Sequence, residues 1–254
     1  MAGGPVADNY WVETQTPHSL SLLTRNEARV VLARAFEEAA VMPGTLLPHE
    51  LLSDLRDMAC RLVDEVSTLR DAAILSANGS GAWAYMVDHS IDSTVVGLLI
   101  GRRLVPDSLL PELGVGLFLQ DIGKLALPPA LVHKEGPLAP DEWALMMKHP
   151  LLGLEFLRDD AVSPASKSVV RSHHERWDGS GYPGALVGDE ATMFARIAAV
   201  ADVFDAVTSE RFHAHAIPVE EGVALIRDSS GTAFDPLVVE AFLDVAAATR
   251  LRAA

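Results

Sequence analysis

Apolar residues recur at helical spacing along most of the chain and nowhere alternate strictly with polar ones over a useful length, so the pattern predicts helices and no strands. The first clear period opens at Thr24, where T-R-N-E reads as a capping box and ARVVLARAFEEAAV continues it. Residues 49–75 read as a long amphipathic helix that runs out into the breaker Asn78-Gly79-Ser80-Gly81. Further helices are predicted over 83–104, 107–119, 140–148, 150–158, 164–174, 191–209, 218–228 and 236–250. Ser163-Pro164 and Asp235-Pro236 each place a capping side chain before a proline at the first helical position. The expected fold is all-α, with a loose arm over 1–23, a helical extension over 24–78 and a helical domain over 79–254.

Composition narrows this picture. With 254 residues, 49% apolar and 22% charged, the chain has a globular composition and enough length for a large core. Its formal charge of −15 argues against a general affinity for DNA, RNA or anionic membranes, which demand a positive footprint. An anionic substrate would then need a local positive centre, such as a metal ion or a few aimed basic side chains. The start, MAGGPVADNYWVETQ, has no basic segment followed by an apolar stretch, and no apolar run is long enough to span a bilayer, so the expected location is the cytoplasm. Cys60, the one cysteine, sits in the helical stretch DLRDMACRLVDEV and reads as a small buried apolar residue.

Polar side chains inside apolar helical runs carry the chemistry, because a buried charge needs a counter-charge, a metal or a proton. In ARIAAVADVFDAV, Asp202 and Asp205 lie three apart on one face; they fit either pairing with Arg196 or Arg211 or a metal on a buried helix. In LFLQDIGKLALPP, Gln120, Asp121 and Lys124 interrupt a core-like run, and Gly123 lets the backbone turn closely. His149 stands before Pro150 at a helix start, and His89 lies within MVDHSIDS. His173 and His174 end a helix; consecutive side chains there diverge by about 100°, so both can meet one cluster. Four imidazoles and two carboxylates form a nitrogen and oxygen set suited to iron, manganese, zinc or nickel rather than calcium. A carboxylate between two such ions, about 3.5 to 4 Å apart, is the usual arrangement for activating water against a phosphodiester.

The order and spacing of these segments give a resemblance. From about Trp83 onward the chain resembles the HD-GYP domain family, the metal-dependent cyclic di-GMP phosphodiesterases of bacteria, an HD-type helical bundle with a Gly-Tyr-Pro loop. The matching stretches are QDIGK, KHP, HHERWDGSGYP, ARIAAVADVFDA and GTAFDPLVVEAF. The resemblance implies two divalent transition ions, iron or manganese first and zinc or nickel next, held by His89, Gln120, Asp121, His149, His173, His174 and Asp202. It implies catalytic roles for Asp121 and Lys124, and contacts from Lys124, Asp205, Arg211 and Tyr182 to the substrate. Hydrolysis would yield linear pGpG, with GMP as an alternative end product. For Trp177 and Tyr182, packing and recognition both stay open.

Three positions depart from the family pattern. Gln120 replaces the signature histidine; Tyr85 stands where members with three metals carry a glutamate; Ala214 stands where a basic residue commonly helps hold the phosphate, flanked here by His213 and His215. A two-metal site is expected, loose at the His89, Gln120, Asp121 and Asp202 end. Two readings follow: an enzyme acting on cyclic di-GMP, or an impaired module that holds metal, nucleotide or a diguanylate cyclase (GGDEF) domain through its Gly-Tyr-Pro loop. Residues 24–78 read either as a helical extension packing on this domain or as a dimerisation element, which leaves a homodimer open.

Overall fold

The computed structural model describes residues 20–69, 73–74, 83–157, 160–209, 215–249 and 252–253. The helices are α1 (Leu22–Val41), α2 (His49–Val66), α3 (Ala84–Leu104), α4 (Leu110–Leu119), α5 (Pro129–Val132), α6 (Pro140–Met146), α7 (His149–Phe156), α8 (Pro164–Ser172), α9 (Met193–Thr208), α10 (Val219–Asp228) and α11 (Pro236–Thr249). Short 3-10 turns cover Asp107–Leu109, Ile122–Ala126 and Gly188–Glu190. The strand pairing among the described residues is a two-residue parallel contact of Ala73–Ile74 with Arg252–Ala253. The architecture is all-α, and no described helix is long and apolar enough to cross a membrane.

The helix order agrees with the periodicity, and the differences lie at the ends. Helix α1 begins before Thr24 because Ser21, in extended conformation, accepts the Thr24 amide at 3.1 Å and takes the cap. Helix α2 stops at Val66 instead of continuing to Leu75. The hydroxyls of Ser67 and Thr68 donate to the carbonyls of Asp64 and Glu65, closing the last turn. The stretch 107–119 opens with a 3-10 turn, and α5 was not anticipated, being too short for a period to register. Ser163 and Asp235 accept the amides of Ser166 and Leu237, as their sequence context predicts. Cys60 is exposed, contrary to expectation: the buried face of α2 is set by Leu55, Met58, Ala59 and Leu62, and Cys60 lies just past its edge.

Helix α3 is the axis of the fold, buried from Met86 through Gly101 and packed against α1, α4, α9 and α11. Its apolar positions join a single core that reaches from Leu32 and Phe36 of α1 to Phe242 of α11, so the helices upstream of the signature segments share the interior of the domain. Phe204 and Phe242 meet edge to face at 4.9 Å and lock α9 to α11. Two ion pairs cross from α1 to α3. Arg25 grips Asp92 through two bonds of 2.6 and 2.8 Å, both side chains buried, and Arg29 reaches Asp88 at 2.5 Å. These acids lie on either side of His89 in the sequence, so α1 anchors the part of α3 that carries it.

Breaking a buried pair leaves an uncompensated charge, which is a large penalty even when the intact pair adds little. Arg25→Met should therefore destabilise the protein by about 3–5 kcal/mol in urea unfolding, whereas Arg25→Met with Asp92→Leu should recover most of the loss. A single variant as stable as the parent would show that the pair is not buried in solution.

Candidate metal centre

Local folding brings six of the singled-out residues together. Asp121 follows the last turn of α4, His149 opens α7, His173 and His174 close α8, His89 comes from the middle of α3 and Asp202 from α9. The approach of the Asp121 segment to α7 depends on Gly123: a Cβ there would lie 1.9 Å from the His149 carbonyl oxygen and 2.4 Å from the Gly153 nitrogen. Any side chain would push Asp121 away from His149.

The hydrogen bonds of two rings fix where their lone pairs point. His149 Nδ1 lies 2.9 Å from the Met146 carbonyl, and His173 Nδ1 lies 3.1 and 3.2 Å from the carbonyls of Val169 and Val170. A carbonyl only accepts, so each Nδ1 carries hydrogen and a neutral ring keeps its lone pair at Nε2. Those two Nε2 atoms stand 3.2 Å apart. Asp121 Oδ1 is 3.4 Å from the first and 3.7 Å from the second, and it is buried without a hydrogen-bond partner. Burial, with the Lys124 charge next, pushes His149 down to about 3, and burial with the neighbouring His173 lowers His174 as well. Imidazole nitrogens and an orphaned carboxylate oxygen converge on one point. Asp121, His149, His173 and His174 can present one donor atom each within 4.8 Å of one another, and three imidazoles with a carboxylate fit a divalent transition ion.

Asp121 also faces a second group. Its Oδ2 receives Lys124 Nζ at 2.6 Å and lies 3.8 Å from His89 Nε2. Burial alone would raise the Asp121 carboxyl, but the Lys124 charge outweighs it and holds the group well below the usual carboxylate range. His89 Nε2 is 2.9 Å from Asp202 Oδ1, and its Nδ1 is 2.5 Å from Asp205 Oδ2. Burial works against charge on His89, yet the bonds to Asp202 and Asp205 prevail and raise the ring to about 9. His89, Asp121 and Asp202 form the second cluster able to hold an ion.

Gln120 is fully buried beside this cluster. Its Nε2 donates to Ser93 Oγ at 3.2 Å and lies 3.5 Å from Asp202 Oδ1, while its Oε1 has no partner. Ser93 donates its own hydrogen to the His89 carbonyl at 2.7 Å, so it must accept from the amide. The NH2 group, rather than the oxygen, is turned toward Asp202. An amide oriented this way supplies no lone pair to an ion there.

The remaining singled-out residues divide. Asp205, expected at the substrate, is completely buried; it accepts from His89 and from Ser209 Oγ at 2.9 Å and stands behind the ring. Arg196, one of the two arginine partners considered from sequence for Asp202 and Asp205, pairs instead with Asp235. Tyr85 stacks on His89 at 5.9 Å and 7°. Lys124 is partly exposed and reaches Asp121 from the solvent side. Arg211, His213 and Ala214 lie outside the described residues.

The signature loop folds over the cluster by a contact that sequence reasoning missed. Buried Glu175 accepts the amides of Gly184 and Leu186 at 2.5 and 3.0 Å, drawing the loop back across the helix end. Gly181 permits this: a Cβ there would stand 2.4 Å from the Arg176 nitrogen. Tyr182 then donates its amide to the His174 carbonyl at 3.2 Å and lays its ring over His174 at 4.7 Å and 30°. Trp177 serves packing. Arg196 sits 5.7 Å from its ring, and the amides of Trp177 and Asp178 donate to Ala233 and Thr232, pinning the loop to the segment before α11. Glu175 adjoins the histidine pair in sequence, which is the signal that could have found it.

The two halves of the site should show opposite proton behaviour. In protein stripped of metal, nitrogen-15 shifts of the imidazoles should show His149 neutral at pH 5 and His89 charged at pH 8, following their downward and upward displacements. Both rings titrating together near the ordinary histidine value would contradict this geometry.

Comparison with known proteins agrees with the site. The HD domain family model matches residues 88–238. The chain is 34% identical over 251 residues to the cyclic di-GMP phosphodiesterase PA4108 of Pseudomonas aeruginosa, covering 96% of this chain and 57% of that protein. It is 39% identical over 128 residues to the 3'3'-cGAMP-specific phosphodiesterase 2 of Vibrio cholerae, covering 50% of this chain and 24% of that one. The chain thus spans little more than half of the first relative and a quarter of the second. Among solved structures it is similar in fold to Bd1817, an HDG"Y"P protein of Bdellovibrio bacteriovorus, with TM-score 0.63 and 18% identity over 92% of this chain and 74% of that one. A family match over most of the described helices, joined to a Gly-Tyr-Pro loop seated on a histidine cluster, establishes that the chain belongs to the HD domain family, in its HD-GYP branch.

Proposed function

We propose that the chain is a metal-dependent phosphodiesterase acting on cyclic di-GMP, with manganese or iron as the metal. The observation that carries this reading is the pair of imidazole lone pairs 3.2 Å apart beside an orphaned carboxylate oxygen, an arrangement that asks for a cation. Asp121, His149, His173 and His174 would hold one ion, and His89, Asp121 and Asp202 a second. When bound, such ions supply Lewis acidity toward a phosphoryl oxygen and toward water. The substrate comes from the relative named a cyclic di-GMP phosphodiesterase, which matches 96% of this chain; the 3'3'-cGAMP-specific relative shares only the broader class of cyclic dinucleotides.

The chain's own groups have distinct tasks. Lys124, at the solvent edge, can leave Asp121 for a phosphate oxygen and neutralise charge that develops on it. Asp205 holds the His89 ring with Nε2 facing inward, a positioning role. Tyr182 shields the outer side of His174 and limits water at the cluster. Arg211 is the remaining cation assigned to the second phosphate.

The orientation of Gln120 favours the second reading, an impaired module, at one end of the site only. An amide donating to Asp202 competes with an ion for that carboxylate, so the His89 half should bind more weakly than the His149 half. Because chemistry by a metal pair requires both ions at once, the rate should follow occupancy of the weaker half. Gln120→His should raise cyclic di-GMP hydrolysis on the order of tenfold or more at limiting manganese, with the gain shrinking as manganese is added. If parent and variant are both inactive at every manganese concentration while binding the metal, hydrolysis is not the function and the binding-module reading replaces it.

A further inference from the structure

The aromatic contacts do not stop at the metal cluster. Tyr182 lies over His174, is 6.4 Å from His149, and touches Trp143 at 6.1 Å and 82°. Trp143 belongs to α6, the helix immediately before His149, and is 47% exposed. An edge-to-face contact covers at most one face of either ring, so Tyr182 leaves at least one indole face free. A line of rings therefore runs from the buried imidazoles to an open indole at the rim.

We propose that Trp143 is a stacking platform for a purine base of the substrate, an inference that rests on the cyclic dinucleotide reading above. The charge around it suits a base and not a phosphate. Asp141 and Glu142 begin the same helix, and the chain carries a formal −15, so an anionic ligand gains little from the general field here. The departure at Ala214 removes a further cation that could have held phosphate. Stacking on an indole does not depend on charge and is available to every base through its π-face. It would hold the nucleoside outside the cluster while the phosphodiester reaches inward past Tyr182 to Lys124. Because α6 and the Gly-Tyr-Pro loop meet through Trp143 and Tyr182, a base on the indole would also sit against the loop that covers His174.

Calorimetric titration of the manganese-loaded protein with a non-hydrolysable phosphorothioate analogue of cyclic di-GMP tests this. Trp143→Ala should raise the dissociation constant about tenfold or more, and Trp143→Phe, which keeps a ring, should stay within about threefold of the parent. Both variants should melt with the parent, since the side chain is half exposed. Equal affinity in the alanine variant would overturn the platform and leave the phosphodiesterase reading intact. A parent that does not bind the analogue would sink the substrate assignment instead. In that event a titration with GMP, followed by tryptophan fluorescence, decides the platform: quenching in the parent that disappears in Trp143→Phe supports it, and no quenching overturns it.

Discussion

Two imidazole rings whose Nδ1 hydrogens are committed to backbone carbonyls face one another through Nε2 atoms 3.2 Å apart in the interior, with a carboxylate oxygen beside them that no donor satisfies. Such a contact is unfavourable between lone pairs and becomes favourable with a cation between them. Much of the fold serves to hold it. The helix end that carries Met146 and the last turn of α8 fix the two tautomers. Gly123 lets Asp121 approach, and the Glu175 clasp folds the signature loop over His174. Burial keeps His149 neutral, which is the state a ligand requires.

Asp121 joins this half of the site to the other, and the two halves are built on different principles. Around His149 the donors are imidazoles whose Nε2 atoms face the centre. Around His89 the same space is crossed by protein hydrogen bonds: the ring lies between Asp202 and Asp205, and Gln120 turns its NH2 group toward Asp202. An ion entering there must displace a proton from His89 and compete with an amide donor, whereas the first half offers imidazole nitrogens and an unpartnered carboxylate oxygen. Gln120 deepens the asymmetry, since an imidazole at position 120 would offer a lone pair where the amide offers hydrogen. The ion pairs from α1 bear on the same half, because Arg25 and Arg29 secure the stretch of α3 that presents His89.

Much of this was legible in the chain. Helical periodicity gave the order of helices, and polar interruptions in apolar runs singled out all six residues of the two clusters. What the sequence could not supply was the neighbour of each face. Asp202 and Asp205 share a helix side, but only the packing of α3 beneath α9 decides that one faces Asp121 while the other lies behind His89. Glu175 was not singled out, because the donors it satisfies are backbone amides of residues further along that loop. The end of α2 depended on hydroxyls that cap carbonyls, a contact that leaves no periodic trace. Whether α1 and α2 pack on the domain or pair with a second copy stayed open in the sequence, since amphipathic helices declare an apolar face and not its partner; they share one core with the domain.

The central claim is that the facing imidazoles and Asp121 hold a cation. Crystals grown with manganese and measured on either side of its absorption edge would locate the ion directly. The account predicts an anomalous peak in the gap bounded by Asp121, His149, His173 and His174, with a weaker peak between His89, Asp121 and Asp202. An absence of density in the first gap, with the two Nε2 atoms still facing each other, would contradict it.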